Sequence, residues 1–403
     1  MASEEIAFPG AGDQSLAARL ELPAGTIRAA AIFAHCFTCT QQSHAATRVT
    51  AALARAGIAT LRFDFTGLGG SGGDFGNAGF AGDIADLIAA GEWLRGRIAA
   101  PSLLVGHSLG GAAVLAAAHA MPEVRAVATI GAPFDAAHVL HQIEGDRAAI
   151  MRDGRGTVRI AGRPFEIGRD FLTALDDSRP AERIAGLRRA LLVLHAPLDP
   201  VVGIDNAKLI FDAAKHPKSF VTLDDADHLL TNRRDAAYVA GLVAAWAERY
   251  LPERESMPTP DGEVRVESGH GAFGTTVQAG QHRWVADEPK RIGGDDLGPS
   301  PYDHLLAALG SCTSMTVKYY ARREGIAVED VRVTLRHDRD HGRDCDHCGD
   351  DEARVQAIHR TVSISGTTSD ADRQRLLAIA DRCPVHKTLT GPLHIHSMLL
   401  PEK

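Results

Sequence analysis

The chain is poor in aromatic residues, at 5%. It holds no run near the ~18 consecutive apolar residues that a membrane-spanning helix needs. It also lacks a basic excess: 43 Lys and Arg face 51 Asp and Glu, for a net charge of −8. Residues 261–403 hold 18 basic and 22 acidic side chains, half of that charge, so no basic tail is hidden in the average. Nucleic-acid and membrane partners are therefore not expected. The first residues, Met-Ala-Ser-Glu-Glu, lack the basic and apolar regions of a signal peptide, and a cytoplasmic location is expected. Cysteine is scarce too, with six in 403 residues, at 36, 39, 312, 345, 348 and 383. In a reducing compartment such thiols read as reactive, metal-binding or buried rather than as structural bridges.

What is present is ordinary globular composition, 45% hydrophobic and 23% charged, over a length that suits two domains. Short apolar strands are expected at 29–35, 58–63, 102–105, 126–130, 190–195 and 219–223. Helical patterns at 45–56, 82–97, 111–120, 204–214 and 233–250 alternate with them. That alternation predicts an α/β fold around a mostly parallel sheet. Residues 251–262 hold three prolines and no apolar period, and read as a linker. Beyond it, 263–403 read as an α+β domain: alternating strands over 263–286, a helix from Pro301 to Arg323, strands at 331–337 and 358–365, a helix at 370–382 and a last strand at 393–400.

Residues 105–111, Val-Gly-His-Ser-Leu-Gly-Gly, follow an apolar strand and open an alanine-rich helix. That is the setting of a nucleophile elbow, with Gly106 and Gly110 giving room where strand and helix nearly touch. Ser108 needs a base, and the base an orienting acid, both from later strand ends. Asp199 follows strand 190–195 and His228 follows strand 219–223. Asp205, Asp224, Asp225 and Asp227 compete for the acid's role, but Asp199 sits on the loop facing the same rim. Asp227 directly precedes His228 and is badly placed to face its ring. An oxyanion hole needs two backbone N–H groups. Leu109 supplies one, and Phe37, in the loop His35-Cys36-Phe37-Thr38-Cys39, is expected to supply the other. Packing is the expected role of Cys36 and Cys39.

With Ala-His-Cys-Phe-Thr, Arg62-Phe-Asp-Phe-Thr-Gly-Leu-Gly, Gly-His-Ser-Leu-Gly-Gly, Pro197-Leu-Asp-Pro-Val and Ala-Asp-His in place, residues 1–250 resemble the α/β-hydrolase family, in its small serine esterase and peptidase-like branch. The resemblance implies ester, thioester or amide hydrolysis through an acyl-serine, without a cofactor. The family often has glycine where Cys36 stands. Residues 62–73 read as that fold's glycine-rich loop, not a phosphate cradle, since no Gly-Lys-Ser/Thr follows. Residues 133–185 read as a small, arginine-rich cap with a solvated face, which suits a modest ester substrate.

The last third carries Gly298-Pro-Ser-Pro-Tyr-Asp-His-Leu-Leu-Ala-Ala-Leu-Gly-Ser-Cys312 and Arg382-Cys383-Pro-Val-His-Lys. On these motifs, residues 263–400 resemble the OsmC/organic hydroperoxide resistance family. The resemblance implies a homodimer intertwined through this domain. It also implies a thiol peroxidase: Cys312 attacks a hydroperoxide, Cys383 resolves the sulfenic acid to a disulfide, and a dithiol reduces it. Where family reductases place a glutamate ten residues before the first cysteine, this chain has Tyr302, with Asp303 beside it. Arg283 is the nearest candidate for the thiol-activating arginine. The alternative is a domain that only dimerises. Finally, His337, His341, Cys345 and Cys348, with His347, have donor types and spacing compatible with zinc. A redox-active or merely exposed loop is the bland alternative there.

Overall fold

A computed structural model describes residues 2–36, 39–138, 143–160, 163–169, 172, 179–253, 258–341, 354–366 and 369–401. By packing, the chain separates into two compact units: Met1–Ala286 with Lys290–Leu297, and Asp287–Pro289 with Gly298–Lys403.

In the first unit an N-terminal hairpin, β1 (Ala2–Pro9) and β2 (Ser15–Leu22), leads into β3 (Ala29–Ala34), α1 (His44–Arg55) and β4 (Ile58–Phe63). Then come α2 (Phe75–Arg97), β5 (Pro101–His107), α3 (Leu109–Ala117) and β6 (Ala126–Ile130). The cap follows: β7 (Ile143–Glu144), α4 (Arg147–Asp153), β8 (Arg155–Ile160) and β9 (Arg163–Gly168), whose strands form a small antiparallel sheet. Next are α5 (Pro180–Ala185), β10 (Ala190–His195), α6 (Asp205–Ala213), β11 (Lys218–Thr222) and α7 (Arg233–Ala247).

The large sheet has eight strands in the order β1-β2-β4-β3-β5-β6-β10-β11. From β4 to β11 every pairing is parallel; only β1–β2 and β2–β4 are antiparallel. The central strands are apolar on both faces because helices cover both, and β3, β4, β6 and β10 are buried end to end. Each large side chain such as Ile32, Leu61 or Leu104, wholly removed from water, contributes on the order of 2 kcal/mol. All six expected strands are present. The hairpin β1–β2 is an addition, although the alternating Leu16, Ala18, Leu20 and Leu22, all buried, signal it in the sequence. Helix α2 starts seven residues before the expected 82 and kinks at Gly79.

After the proline-rich segment, β12 (Val264–Ser268), β13 (Thr275–Ala279) and β14 (His282–Ala286) form an antiparallel sheet that packs within the first unit.

The second unit is built on α8 (Pro301–Glu324), a long hairpin of β15 (Asp330–His341) and β16 (Arg354–Ser365), and the helices α9 (Asp370–Ala380) and α10 (Pro384–Thr390). Its core is small: Val317, Ala321, Val331, Leu376 and Ala380. The expected strand at 393–400 does not form. Among the described residues that segment pairs with no strand, and Leu393, Ile395, Met398, Leu399 and Leu400 are exposed. Among the described residues no helix is long and apolar enough to cross a membrane.

Candidate active site

Strand β5 ends at His107, and Ser108 turns the chain into α3 with φ 55° and ψ −125°. A left-handed backbone at a non-glycine residue is costly and persists only where its surroundings enforce it. Here sterics enforce it. A Cβ on Gly106 would lie 2.2 Å from the Gly110 carbonyl oxygen, and one on Gly110 would lie 2.5 Å from the oxygens of both Ala34 and His35. Strand, turn and helix therefore close on one another only with glycine at both positions. The turn is tied down by Ser108 N–H to Ile130 O at 2.8 Å and Gly111 N–H to Ser108 O at 2.8 Å.

The ends of β10 and β11 bring the partners. His228 Nε2 lies 3.0 Å from Ser108 Oγ, and its Nδ1 lies 2.7 Å from Asp199 Oδ2. The other Asp199 oxygen accepts the N–H groups of Val201 and Val202 at 2.8 and 2.9 Å. Burial pushes the Asp199 carboxyl up, but the bonds from His228, Val202 and Val201 outweigh it, leaving the acid below its usual range. A negative Asp199 fixes Nδ1 of His228 as the protonated nitrogen and leaves Nε2 free to accept the Ser108 proton. Gly131, at φ 55°, floors this pair: a Cβ there would press to 3.4 Å on both Asp199 Oδ2 and His228 Nδ1. All three side chains are nearly closed to water. The competitor Asp227 turns its carboxylate away, to the N–H groups of Leu229 and Thr231 and the Thr231 hydroxyl.

Three further buried histidines surround the triad, and none of them carried a signal beyond its motif neighbours. His107 donates Nε2–H to the His228 carbonyl at 2.7 Å. Burial first, then the neighbouring His228, push it down to about 4. His195 donates to the Val202 carbonyl at 2.7 Å, holding the turn that carries Asp199, and burial lowers it as well. His35, lowered chiefly by burial, donates Nδ1–H to the Cys36 carbonyl at 2.7 Å. All three are neutral donors bracing the loops.

Leu109 opens α3, so its N–H belongs to the first helical turn, where backbone donors have no partner inside the helix. Phe37, the expected second oxyanion donor, lies outside the described residues. Its loop is anchored beyond it: Asp64 accepts Gln41 N–H at 2.7 Å, and Arg62 donates to the Gln41 carbonyl. Asp64 also accepts Gly70 N–H at 3.0 Å, so an acid occupies the glycine-rich loop. That placement leaves the loop unsuited to cradling a phosphate. The expectation that Cys36 and Cys39 merely pack is corrected: they form a disulfide. In the cap, Arg155 pairs with Asp74 and lies near Glu166, and Arg152 with Asp153.

In the second unit Cys312 and Cys383 are free thiols, Cys383 buried and Cys312 half-buried. Cys383 Sγ lies 3.8 Å from the hydroxyl of Thr313, the residue after Cys312, and accepts His386 N–H at 3.3 Å. Arg360, which no motif announced, donates to Thr313 Oγ1 at 3.1 Å and to the Ala380 carbonyl at 3.3 Å, and pairs with Asp381. Two of the candidates for activating the thiol make contacts of their own within the second unit. Asp303 closes a capping box with Ser300 at the start of α8, and those bonds lower its carboxyl. Tyr302 stacks on His337 at 4.2 Å. Both stand about 14–15 Å along the helix from Cys312. Arg283 donates to Thr26 Oγ1 at 2.8 Å in the first unit. Of the zinc candidates, Cys345 and Cys348 lie outside the described residues, and His341 is described only as the last residue of β15.

Comparison with known proteins agrees with both halves. A family model described as serine aminopeptidase, S33, matches residues 25–152, and one described as OsmC-like protein matches residues 293–397. The esterase domain of a Rhodothermus marinus protein is 46% identical, with a TM-score of 0.53, covering 62% of this chain and 99% of that one. Est1E from Butyrivibrio proteoclasticus, solved with ferulic acid, is 18% identical with a TM-score of 0.52, covering 61% and 98%. The α/β-hydrolase GrgF from a Penicillium species is 16% identical with a TM-score of 0.51, covering 62% and 99%. The last two share the fold alone. No curated protein matches the chain in sequence.

Proposed function

We propose that this chain, which belongs to the α/β-hydrolase family through its first domain and carries an OsmC-like domain after it, hydrolyses small carboxylic esters through an acyl-serine. The observation that carries this reading is the unbroken line of hydrogen bonds from Asp199 through His228 to Ser108. Ser108 Oγ attacks the ester carbonyl carbon and passes its proton to His228 Nε2, while Asp199 stabilises the imidazolium. The oxyanion is taken up by Leu109 N–H at the positive end of α3 and by the expected Phe37 N–H. His228 returns the proton to the leaving alcohol, and water then repeats the sequence on the acyl-serine. The test is hydrolysis of short-chain nitrophenyl esters by the full chain and by Ser108→Ala. Loss in the variant supports the reading, and an unchanged rate sinks it.

For the OsmC-like domain the reading is a thiol peroxidase. Cys312 takes the terminal oxygen of an organic hydroperoxide to become a sulfenic acid, releasing the alcohol. Cys383 then expels water to form the disulfide, and a dithiol returns both to thiols. The free state of both sulfurs supports it. Its partner would be a second copy of the chain, a reading supported by exposed Met315 and Tyr319 on α8 and the bare apolar segment 393–400. A non-catalytic dimerisation module is the second reading, favoured by the displacement of Asp303 into a helix cap. Hydroperoxide consumption with dithiol, lost in Cys312→Ser, decides between them. The proline-rich stretch 251–262 is the linker read from composition, but the sheet of residues 264–286 after it packs with the first unit; the cytoplasm suits both chemistries.

A further inference from the structure

Cys36 and Cys39 are joined by a disulfide in the loop that leaves β3. The bond closes a ring over two intervening residues only. So short a ring removes little freedom from the unfolded chain, and the bond is a weak staple for the fold. Nor is it needed to anchor the far end of the loop, where Asp64 and Arg62 already hold both backbone groups of Gln41. Its influence is local. The bond fixes the Cα atoms of 36 and 39 at 5.2 Å, and among the described residues the hydrogen bond from Cys39 N–H to Cys36 O at 3.0 Å also closes the span.

Two placements give this span leverage over Ser108. The carbonyls of Ala34 and His35 pack so tightly on the elbow that a Cβ on Gly110 would come within 2.5 Å of either. Phe37, the expected oxyanion donor, lies by sequence between the two cysteines. The sulfurs also differ in access, for Cys36 is 3% exposed while Cys39 is half-buried. An incoming thiolate therefore meets Cys39 first, and Cys36 is the leaving sulfur.

We infer that Cys36 and Cys39 form a reversible thiol–disulfide site that sets the rate of ester hydrolysis, with low-molecular-weight dithiols as reductant and low-molecular-weight disulfides as oxidant. The inference rests on the serine-hydrolase reading. In reduction, a dithiol thiolate attacks Cys39 Sγ, forming a mixed disulfide and releasing the Cys36 thiolate. The second thiol of the reductant attacks its own mixed-disulfide sulfur, releasing Cys39. Two electrons move from the dithiol to the protein, the dithiol becomes a cyclic disulfide, and both cysteines leave as protonated thiols. Oxidation is the reverse exchange with a small disulfide, which departs as two thiols. The oxidised form holds the backbones of Cys36 and Cys39 at their observed separation, and the reduced form leaves that separation to the Cys39–Cys36 hydrogen bond.

The experiment measures kcat and KM for a nitrophenyl ester on the full chain after oxidised and after reduced dithiothreitol. In parallel the thiols are alkylated, and mass spectrometry follows the tryptic peptide 29–48, which holds both cysteines and no other. Reduction should lower kcat about tenfold with little change in KM, less than the loss of a whole oxyanion donor, and reoxidation should restore it. Cys39→Ser should turn over at the reduced rate, ignore dithiol, and melt at the same temperature as reduced wild type. Equal kcat in two states whose peptide masses differ would overturn the inference, as would a Cys39→Ser protein still slowed by dithiol. So would a peptide alkylated at both cysteines after oxidation. Failure of the hydrolase reading looks different: neither form turns over ester or takes a fluorophosphonate on Ser108, and the inference falls with it.

Discussion

His107 donates its Nε2 proton to the backbone oxygen of His228 at 2.7 Å, and the two rings lie 5.5 Å apart. The residue before Ser108 thus holds the loop that carries His228. Two strand ends far apart in sequence are locked at the spacing that proton transfer needs.

His107→Gln keeps a donor of roughly similar reach, whereas His107→Ala does not. The alanine variant is expected to lower kcat on the order of tenfold by misplacing His228, with KM nearly unchanged. The glutamine variant should recover much of that loss in steady-state ester kinetics.

The same histidine makes stability depend on pH. Folded His107 takes up its proton only near pH 4, whereas an unfolded histidine does so near 6.5. Between those values the unfolded chain binds more protons, so stability climbs as pH rises from about 4 to about 6.5 and is lost on acidification. His195 and His35 are lowered too and share the slope. Melting temperature measured across that window should fall toward acid, less steeply in His107→Gln.

Asp199→Asn should leave the fold intact while lowering kcat on the order of ten-thousandfold, because an amide does not hold His228 in the tautomer with Nε2 free. Kinetics together with an unchanged circular dichroism spectrum check this.

Gly110→Ala places a methyl group 2.5 Å from two backbone oxygens, so close that the backbone must shift. Urea unfolding should show a loss on the order of 3 kcal/mol, and ester hydrolysis should fall with it.

Much of this site is legible in the sequence, and for identifiable reasons. Parallel strands buried on both faces read as unbroken apolar runs, so the strands feeding Ser108, Asp199 and His228 stand out, and glycine marks the turn that only glycine permits. The rest depends on groups brought together from a distance. Nothing in the sequence announces that Arg360 on β16 reaches Thr313 beside Cys312, or that Asp64 holds the oxyanion loop through Gln41. The motif does not announce that Ser300 holds Asp303 in a helix cap or that Tyr302 stacks on His337. The apolar run at 393–400 has a strand's pattern but pairs with no strand among the described residues. The spacing of Cys36 and Cys39 does not by itself distinguish packed thiols from the disulfide they form.

The most direct test of the account is to quench the enzyme in acid during turnover of a slow nitrophenyl ester and weigh its peptides. The acyl group is expected on Ser108, in peptide 98–125, with no adduct and no turnover in Ser108→Ala. An acyl group on another residue, or undiminished hydrolysis by Ser108→Ala, would contradict it.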